Sequence, residues 1–137
     1  MIQNQDYFEK VEMDGNLLAI IVKKKFNKLG YNFLSPNDFP LQLGINFRKK
    51  GEHVPAHQHV PFKELLNFPV QEFIYIENGK MELKLFHYKK KCKEIVLNSG
   101  DMVLLNCGHE VRFLEDTKMI EIKQGPYRGK DGEKEHF

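Results

Sequence analysis

The sequence predicts an all-β domain, a barrel or sandwich built from short antiparallel strands. Three observations predict it: β-branched, aromatic and aliphatic runs recur along the chain, turn residues punctuate them at even intervals, and helical periodicity is scarce. At 137 residues the chain is expected to be one domain, residues 1–137, with a core over about 15–125. A chain of this size can bury roughly two-thirds of its unfolded surface, enough to fold without staples.

In chain order, Met1 to Lys10 is polar and aromatic, without a basic stretch leading into an apolar one. No signal peptide is expected there, and no apolar run anywhere reaches the ~18 residues of a membrane span. A short N-terminal extension precedes the core, Leu17 to Val22 is a continuous apolar run, and only the first forty residues leave room for a helix, such as a short turn near Pro36-Asn37-Asp38. Leu41 to Arg48 reads as extended. Val70 to Glu77 is rich in β-branched and aromatic residues, and Lys80 to Leu85 alternates strictly. Asn78-Gly79 between them predicts a tight hairpin, because both turn residues must reach positive φ. Glu94 to Leu97 then leads through Asn98-Ser99-Gly100-Asp101 into the apolar run Met102 to Leu105. Cys107-Gly108 breaks the chain again. Two further strands, Glu110 to Leu114 and Lys118 to Lys123, flank the turn Glu115-Asp116-Thr117. The tail, residues 126–137, is charged and glycine-rich, and is expected to be loosely ordered.

Charge narrows the partners. Twenty-one Lys and Arg against 19 Asp and Glu leave a net charge of only +2. The triplets Lys23-Lys24-Lys25 and Lys89-Lys90-Lys91 read as solvated strand ends that discourage edge pairing. No arginine- and aromatic-rich tract suggests nucleic acid, so neither nucleic acid nor membrane is an expected partner. Cys92 and Cys107 are too few for a disulfide framework, and fit reduced thiols of a cytoplasmic protein.

The chemistry concentrates in Gly51-Glu52-His53-Val54-Pro55-Ala56-His57-Gln58-His59. In an extended segment alternate side chains share a face, so His57 and His59 point together. Glu72, on the next strand-like run, offers a carboxylate, with Glu64 as the competing candidate nearer in sequence. His109 opens a later strand and shares parity with Val111 and Phe113. Imidazoles with one carboxylate suit Zn, Fe, Mn or Ni without choosing among them. The competing reading is a metal-free polar pocket. His53, His87 and His136 fall outside this constellation.

These residues resemble the motifs of the cupin superfamily. Gly51, His57 and His59 match the opening of its first motif, and Glu72 with Gly79 matches the close. Gly100-Asp101-Met102-Val103-Leu104-Leu105-Asn106-Cys107-Gly108-His109 is similar to the second, with Asn106 in place of proline and a shortened turn. The interval between His59 and Glu72 is longer than usual, which makes Val60 to Pro69 an inserted loop at the barrel mouth. The resemblance implies a double-stranded β-helix (jelly-roll) barrel and a divalent transition metal held by His57, His59, Glu72 and His109. Phe113 to Tyr127 and Ser35 to Phe39 are similar to a branch of small bacterial cupins, some encoded among surface-polysaccharide or sugar-biosynthesis genes. That context implies a small oxygenated metabolite, such as a carbohydrate, as ligand or substrate. Arg48, Lys123 and Gln124, with Tyr127, are candidates to bind it.

Two other functions remain open at this level. One is a metal-free sugar-nucleotide isomerase or epimerase using His57 or His59 as base, with Tyr75 or Tyr88 as the opposing acid. The other is a non-enzymatic binding module. Outward aromatics at Phe73 and Tyr75 lead us to expect a homodimer.

Overall fold

The computed structural model describes residues 7–65 and 69–137, and nearly all of its regular structure is strand. Strands β1 (Phe8–Met13) and β2 (Asn16–Val22) form a separate two-stranded ribbon. Asp14 and Gly15 join them, both at positive φ (52° and 76°), as a two-residue hairpin whose twist matches its strands requires. The barrel follows: β3 (Gly30–Phe33), β4 (Leu41–Arg48), β5 (His53–His59), β6 (Glu72–Asn78), β7 (Lys80–His87), β8 (Lys90–Asn98), β9 (Met102–Leu105), β10 (Gly108–Phe113) and β11 (Thr117–Gln124). A one-turn helix α1 (Lys130–Glu133) and strand β12 (Lys134–His136) complete it.

Two five-stranded antiparallel sheets face each other as a jelly roll, ordered β3-β4-β11-β6-β9 and β12-β5-β10-β7-β8. Most consecutive strands therefore lie in opposite sheets. The hairpin expected at Asn78-Gly79 is absent: β6 pairs with β9 and β11, and β7 with β8 and β10. Gly79, at φ 116°, instead turns a corner between sheets, where an added Cβ would lie 2.5 Å from Thr117 Oγ1 and 2.7 Å from the Asp116 carbonyl. Close backbone approach selects glycine here. The actual β7–β8 hairpin turns on Tyr88 and Lys89 at φ 48° and 66°, which no turn signal in the sequence marks. Glu115-Asp116-Thr117 likewise links strands of opposite sheets, β10 and β11.

Inward side chains change character along the barrel at a common level. On β6 the inward series runs Glu72, Ile74, Ile76; on β10 it runs His109, Val111, Phe113. On β11 it runs Thr117, Met119, Glu121, Lys123, with the intervening residues outward. The apolar end packs Ile74, Ile76, Met81, Leu83, Leu97, Leu105, Val111, Phe113 and Met119 into one cluster. Burying each such side chain contributes roughly 1.5–3 kcal/mol, which offsets the cost of the buried polar groups at the other end.

The tail corrects the expectation of loose order for residues 126–137. β12 adds to the edge of β5, pairing Lys134 with His59 and His136 with His57. Glu133 is 3% exposed, its Oε1 accepts the Arg128 backbone N–H at 3.1 Å, and the Arg128 guanidinium donates to the carbonyls of Val60 and Pro61. Arg128, Glu133 and Glu135 of the tail thus find partners across the barrel rim, which composition does not reveal. The β1 strand also begins before the expected core boundary near residue 15.

The outer face of β4-β11-β6-β9 is apolar in two cross-strand rows. Leu104, Phe73, Ile122 and Leu43 form one; Met102, Tyr75 and Ile120 form the other, which ends on β4 at Ile45, itself buried. Leu104 and Met102 are exposed. No helix among the described residues is long and apolar enough to cross a membrane.

Candidate metal centre

β5 delivers its histidines through an irregularity. Register shifts between His109↔His57 and Val111↔Val54, so one extra residue stands between Val54 and His57. A bulge of this kind re-aims side chains. Val54 packs toward the core, His57 and His59 are buried, and His53 turns outward to lie 3.6 Å from Glu110. His109 enters from the adjacent β10, and Glu72 from the first residue of β6 in the opposite sheet. The ligand-capable nitrogens of His57, His59 and His109 all lie within 4.8 Å of one another. Glu72 Oε2 is 3.0 Å from His59 Nε2 and 3.5 Å from His109 Nε2.

Hydrogen bonds fix which nitrogens face inward. His57 Nδ1 lies 2.8 Å from the Pro55 carbonyl, and His109 Nδ1 lies 3.3 Å from the Cys107 carbonyl. Carbonyls only accept, so each Nδ1 carries the proton and each Nε2 keeps a free lone pair. His59 differs: its Nε2 donates to Glu72, while Nδ1 is buried with no partner among the described residues. A void of about 20 Å³ lies among these groups, room for one water-sized sphere. Edges of about 3.0–3.5 Å between neighbouring ligand atoms are what bonds of ~2.0–2.2 Å to one ion produce. The donor set, two preset Nε2 lone pairs, a third imidazole and a carboxylate, fits a divalent first-row cation.

Electrostatics support neutral imidazoles. Burial, reinforced by the neighbouring His109, lowers His57 to about 3, and burial also lowers His109. Burial alone would raise Glu72, but the hydrogen bond from His59 and the attraction of the surrounding groups, Lys123 among them, outweigh it and hold its carboxyl low.

A second acid sits in the same barrel end. Glu121 is 1% exposed, receives the Tyr31 hydroxyl at 3.2–3.3 Å, and accepts from Asn46 Nδ2 at 3.2 Å. Burial, then repulsion from Glu72, pushes it up to about 8. Tyr31 reaches Glu121 with its hydroxyl while its ring edges a larger cavity of about 590 Å³. That cavity is lined by Tyr31, Phe33, Asn37, Gln42, Lys123, Tyr127, Glu133, Lys134 and His136, and it shares Tyr31 and Lys134 with the histidine void.

The structure therefore brings His57, His59, Glu72, His109 and Lys123 to one end of the barrel. Glu64 is not among them: it is exposed on the 3-10 turn Lys63–Leu65 and lines a separate cleft. Leu66 to Phe68 of the expected inserted loop lie outside the described residues. Arg48 is committed elsewhere, with Nε 2.6 Å from Glu52 and its guanidinium over the Tyr31 and Phe113 rings. Gln124 accepts the Gln71 backbone N–H at 2.6 Å and borders the Glu64 cleft rather than the larger cavity. Tyr88 is 88% exposed on its hairpin and Tyr75 lies on the outer face, so neither opposes the histidines. Sequence reasoning missed Glu121, Tyr31, Asn46, Glu133 and Lys134. Glu121 shares parity with Lys123, which was the available signal.

No protein-family model matches the chain, and no curated protein matches it. Solved structures do. A variant of oxalate decarboxylase from Bacillus subtilis superposes with a TM-score of 0.56 at 14% identity, over 72% of this chain and 24% of that one. This chain thus spans about a quarter of the decarboxylase's length. A cupin superfamily protein from Desulfitobacterium hafniense gives a TM-score of 0.54 at 14% identity, over 69% of this chain and 74% of that one. A cupin-2 domain protein from Shewanella frigidimarina gives 0.52 at 14% identity, over 73% and 85%. The chain has the cupin fold, and its histidine cluster fits a metal-binding member of that architecture.

Proposed function

We propose that this protein is a metal-dependent enzyme acting on a small oxygenated metabolite, of which carbohydrates are one class, with His57, His59, Glu72 and His109 holding a divalent transition ion. The observation that carries the reading is the convergence of three buried imidazoles, with Glu72 Oε2 at 3.0 and 3.5 Å from two of them. Bacillus subtilis oxalate decarboxylase, one of the proteins this chain superposes on, has Mn(II) centres, which is consistent with a divalent ion here.

A bound ion would polarise a carbonyl or orient a hydroxyl of the substrate. The chain supplies the rest. Tyr31, Phe33 and Tyr127 wall the larger cavity, and the void beyond is too small for a solvent pool. Glu72 stays ionised and neutralises charge, so it does not transfer protons. Glu121, protonated below about pH 8, is the group able to give a proton and take it back near neutrality. Tyr31 orients it and links it to the cavity. A metal-free epimerase is less well supported, because an imidazole lowered to about 3, as at His57, is a weak base near neutral pH.

The test is metal content and affinity. His57→Ala and His59→Ala should each lower affinity at least ~100-fold, more than the 10–100-fold cost of losing an outer-shell partner. Circular dichroism should show the sheet retained. Full occupancy in either variant contradicts the reading.

A further inference from the structure

Two lysines flank the candidate metal centre in register. Lys123 on β11 pairs directly with Glu72, and Lys134 on β12 pairs directly with His59. Directly paired residues share a face with Cβ atoms ~4.5–5.5 Å apart, so both stems stand beside ligand residues and both line the larger cavity. Lys123 is 5% exposed. Such burial is rare for a lysine without a close partner. Its nearest carboxylate oxygen, Glu133 Oε2, is 3.8 Å away, beyond hydrogen-bond distance; the Phe33 ring lies at 5.3 Å, and Glu72 and Glu121 attract it from farther off. Glu133 is already engaged, since Arg128 donates to it through its backbone N–H at 3.1 Å and lies 3.4 Å away through Nη2. The Lys134 side chain makes no ion pair or hydrogen bond among the described residues. Lys123 and Lys134 face one lining carboxylate, Glu133, which is shared with Arg128, so the lining carries a net positive charge that a divalent ion would increase.

We propose that the cavity selects an acid: a hydroxy- or oxo-carboxylate whose carboxylate lies between Lys123 and Lys134 while a second oxygen points at the histidine cluster. The body of the ligand would lie against Tyr31, Phe33 and Tyr127. A volume of about 590 Å³ falls in the range that encloses most of a small ligand. Two point-charge ammoniums suit a monoanionic carboxylate. No arginine fork lines the cavity for a phosphate. This proposal rests on the metal-site reading for the second oxygen, but the two lysines act whether or not an ion is bound.

The test is calorimetric titration of the metal-loaded and the chelator-treated protein with matched probes: galacturonate, galactose and galactose 6-phosphate, then salicylate and salicylamide, then 2-oxoglutarate and pyruvate. At least one carboxylate is expected to bind at least ten-fold tighter than its neutral counterpart. Lys123→Met should abolish that preference at unchanged metal content, and Lys123→Arg should restore most of it. If Lys123→Met does not fold, Lys134→Met must weaken the same probe at least three-fold. Equal binding of acids and neutral partners across the panel, no binding by any acid, tighter binding of the phosphate, or a preference that survives Lys123→Met overturns the proposal. Loss of metal from the wild type with the acid preference intact instead strikes the metal-site reading alone.

Discussion

Replacing Glu121 by glutamine isolates the most perturbed acid in the barrel. In the folded chain Glu121 is held at about 8 against an ordinary 4.5, chiefly by burial and next by repulsion from Glu72. The folded state therefore keeps a proton that the unfolded state releases above 4.5. The protonated form's stability is fully present below that value and is lost as pH rises through about 8. Over that window each pH unit costs ~1.4 kcal/mol, with a ceiling of ~5 kcal/mol for the whole displacement. Glutamine is isosteric with the neutral acid and can still accept from Asn46 and meet the Tyr31 hydroxyl, so it removes the pH term while keeping the packing. Urea unfolding of chelator-treated protein at about pH 6.5 and 8 reads it. The wild type should lose ~2 kcal/mol between the two, and Glu121→Gln less than ~0.5 kcal/mol. His57 and His109, both lowered on folding, contribute at most ~0.4 kcal/mol each, of opposite sign, at the lower end of this interval. They do so equally in the two proteins, so the difference between them isolates Glu121. Parallel losses in the two proteins would refute the assignment of a buried, neutral Glu121.

Other predictions follow from the same geometry. Gly79→Ala should destabilise the fold by more than ~2 kcal/mol in urea titration, because it combines φ 116° with a Cβ 2.5 Å from Thr117 Oγ1. A change below ~0.5 kcal/mol contradicts the corner geometry. The homodimer is a proposal, and the exposed members of the two apolar rows, Leu104, Met102 and Ile122, mark the surface it would cover. Light scattering should give twice the 16.2 kDa chain mass, and Leu104→Glu with Met102→Lys should return the monomer. A wild-type monomer at micromolar concentration refutes it.

The all-β architecture was legible because its strands are short and alternate, and the histidine pair because a strand's period forces His57 and His59 to one side. Topology was less so. Asn-Gly is a hairpin signal only when the flanking runs pair; in a jelly roll the same glycine serves a corner, where the Asp116 carbonyl approaches within 2.7 Å of its missing Cβ. The true β7–β8 turn uses Tyr88-Lys89, residues with no turn preference that the paired strands hold at positive φ. The second acid was hidden by inverted polarity. On β11 the aliphatic Ile120 and Ile122 face out while Glu121 and Lys123 face in, so a rule that sends apolar residues inward misassigns the strand. β4 does the same, with Leu43 and Phe47 outward and Gln42 and Asn46 inward. The tail escaped because its order depends on Arg128 and Glu133 meeting across the rim, a long-range pairing that local composition does not encode.

The most direct test of the central claim is anomalous diffraction at the absorption edge of whichever first-row metal the purified protein carries. We expect a single peak per chain, within ~2.0–2.3 Å of one nitrogen each of His57, His59 and His109 and of a Glu72 oxygen. A peak elsewhere on the surface, or none after soaking with Mn, Fe, Ni and Zn in turn, contradicts the account.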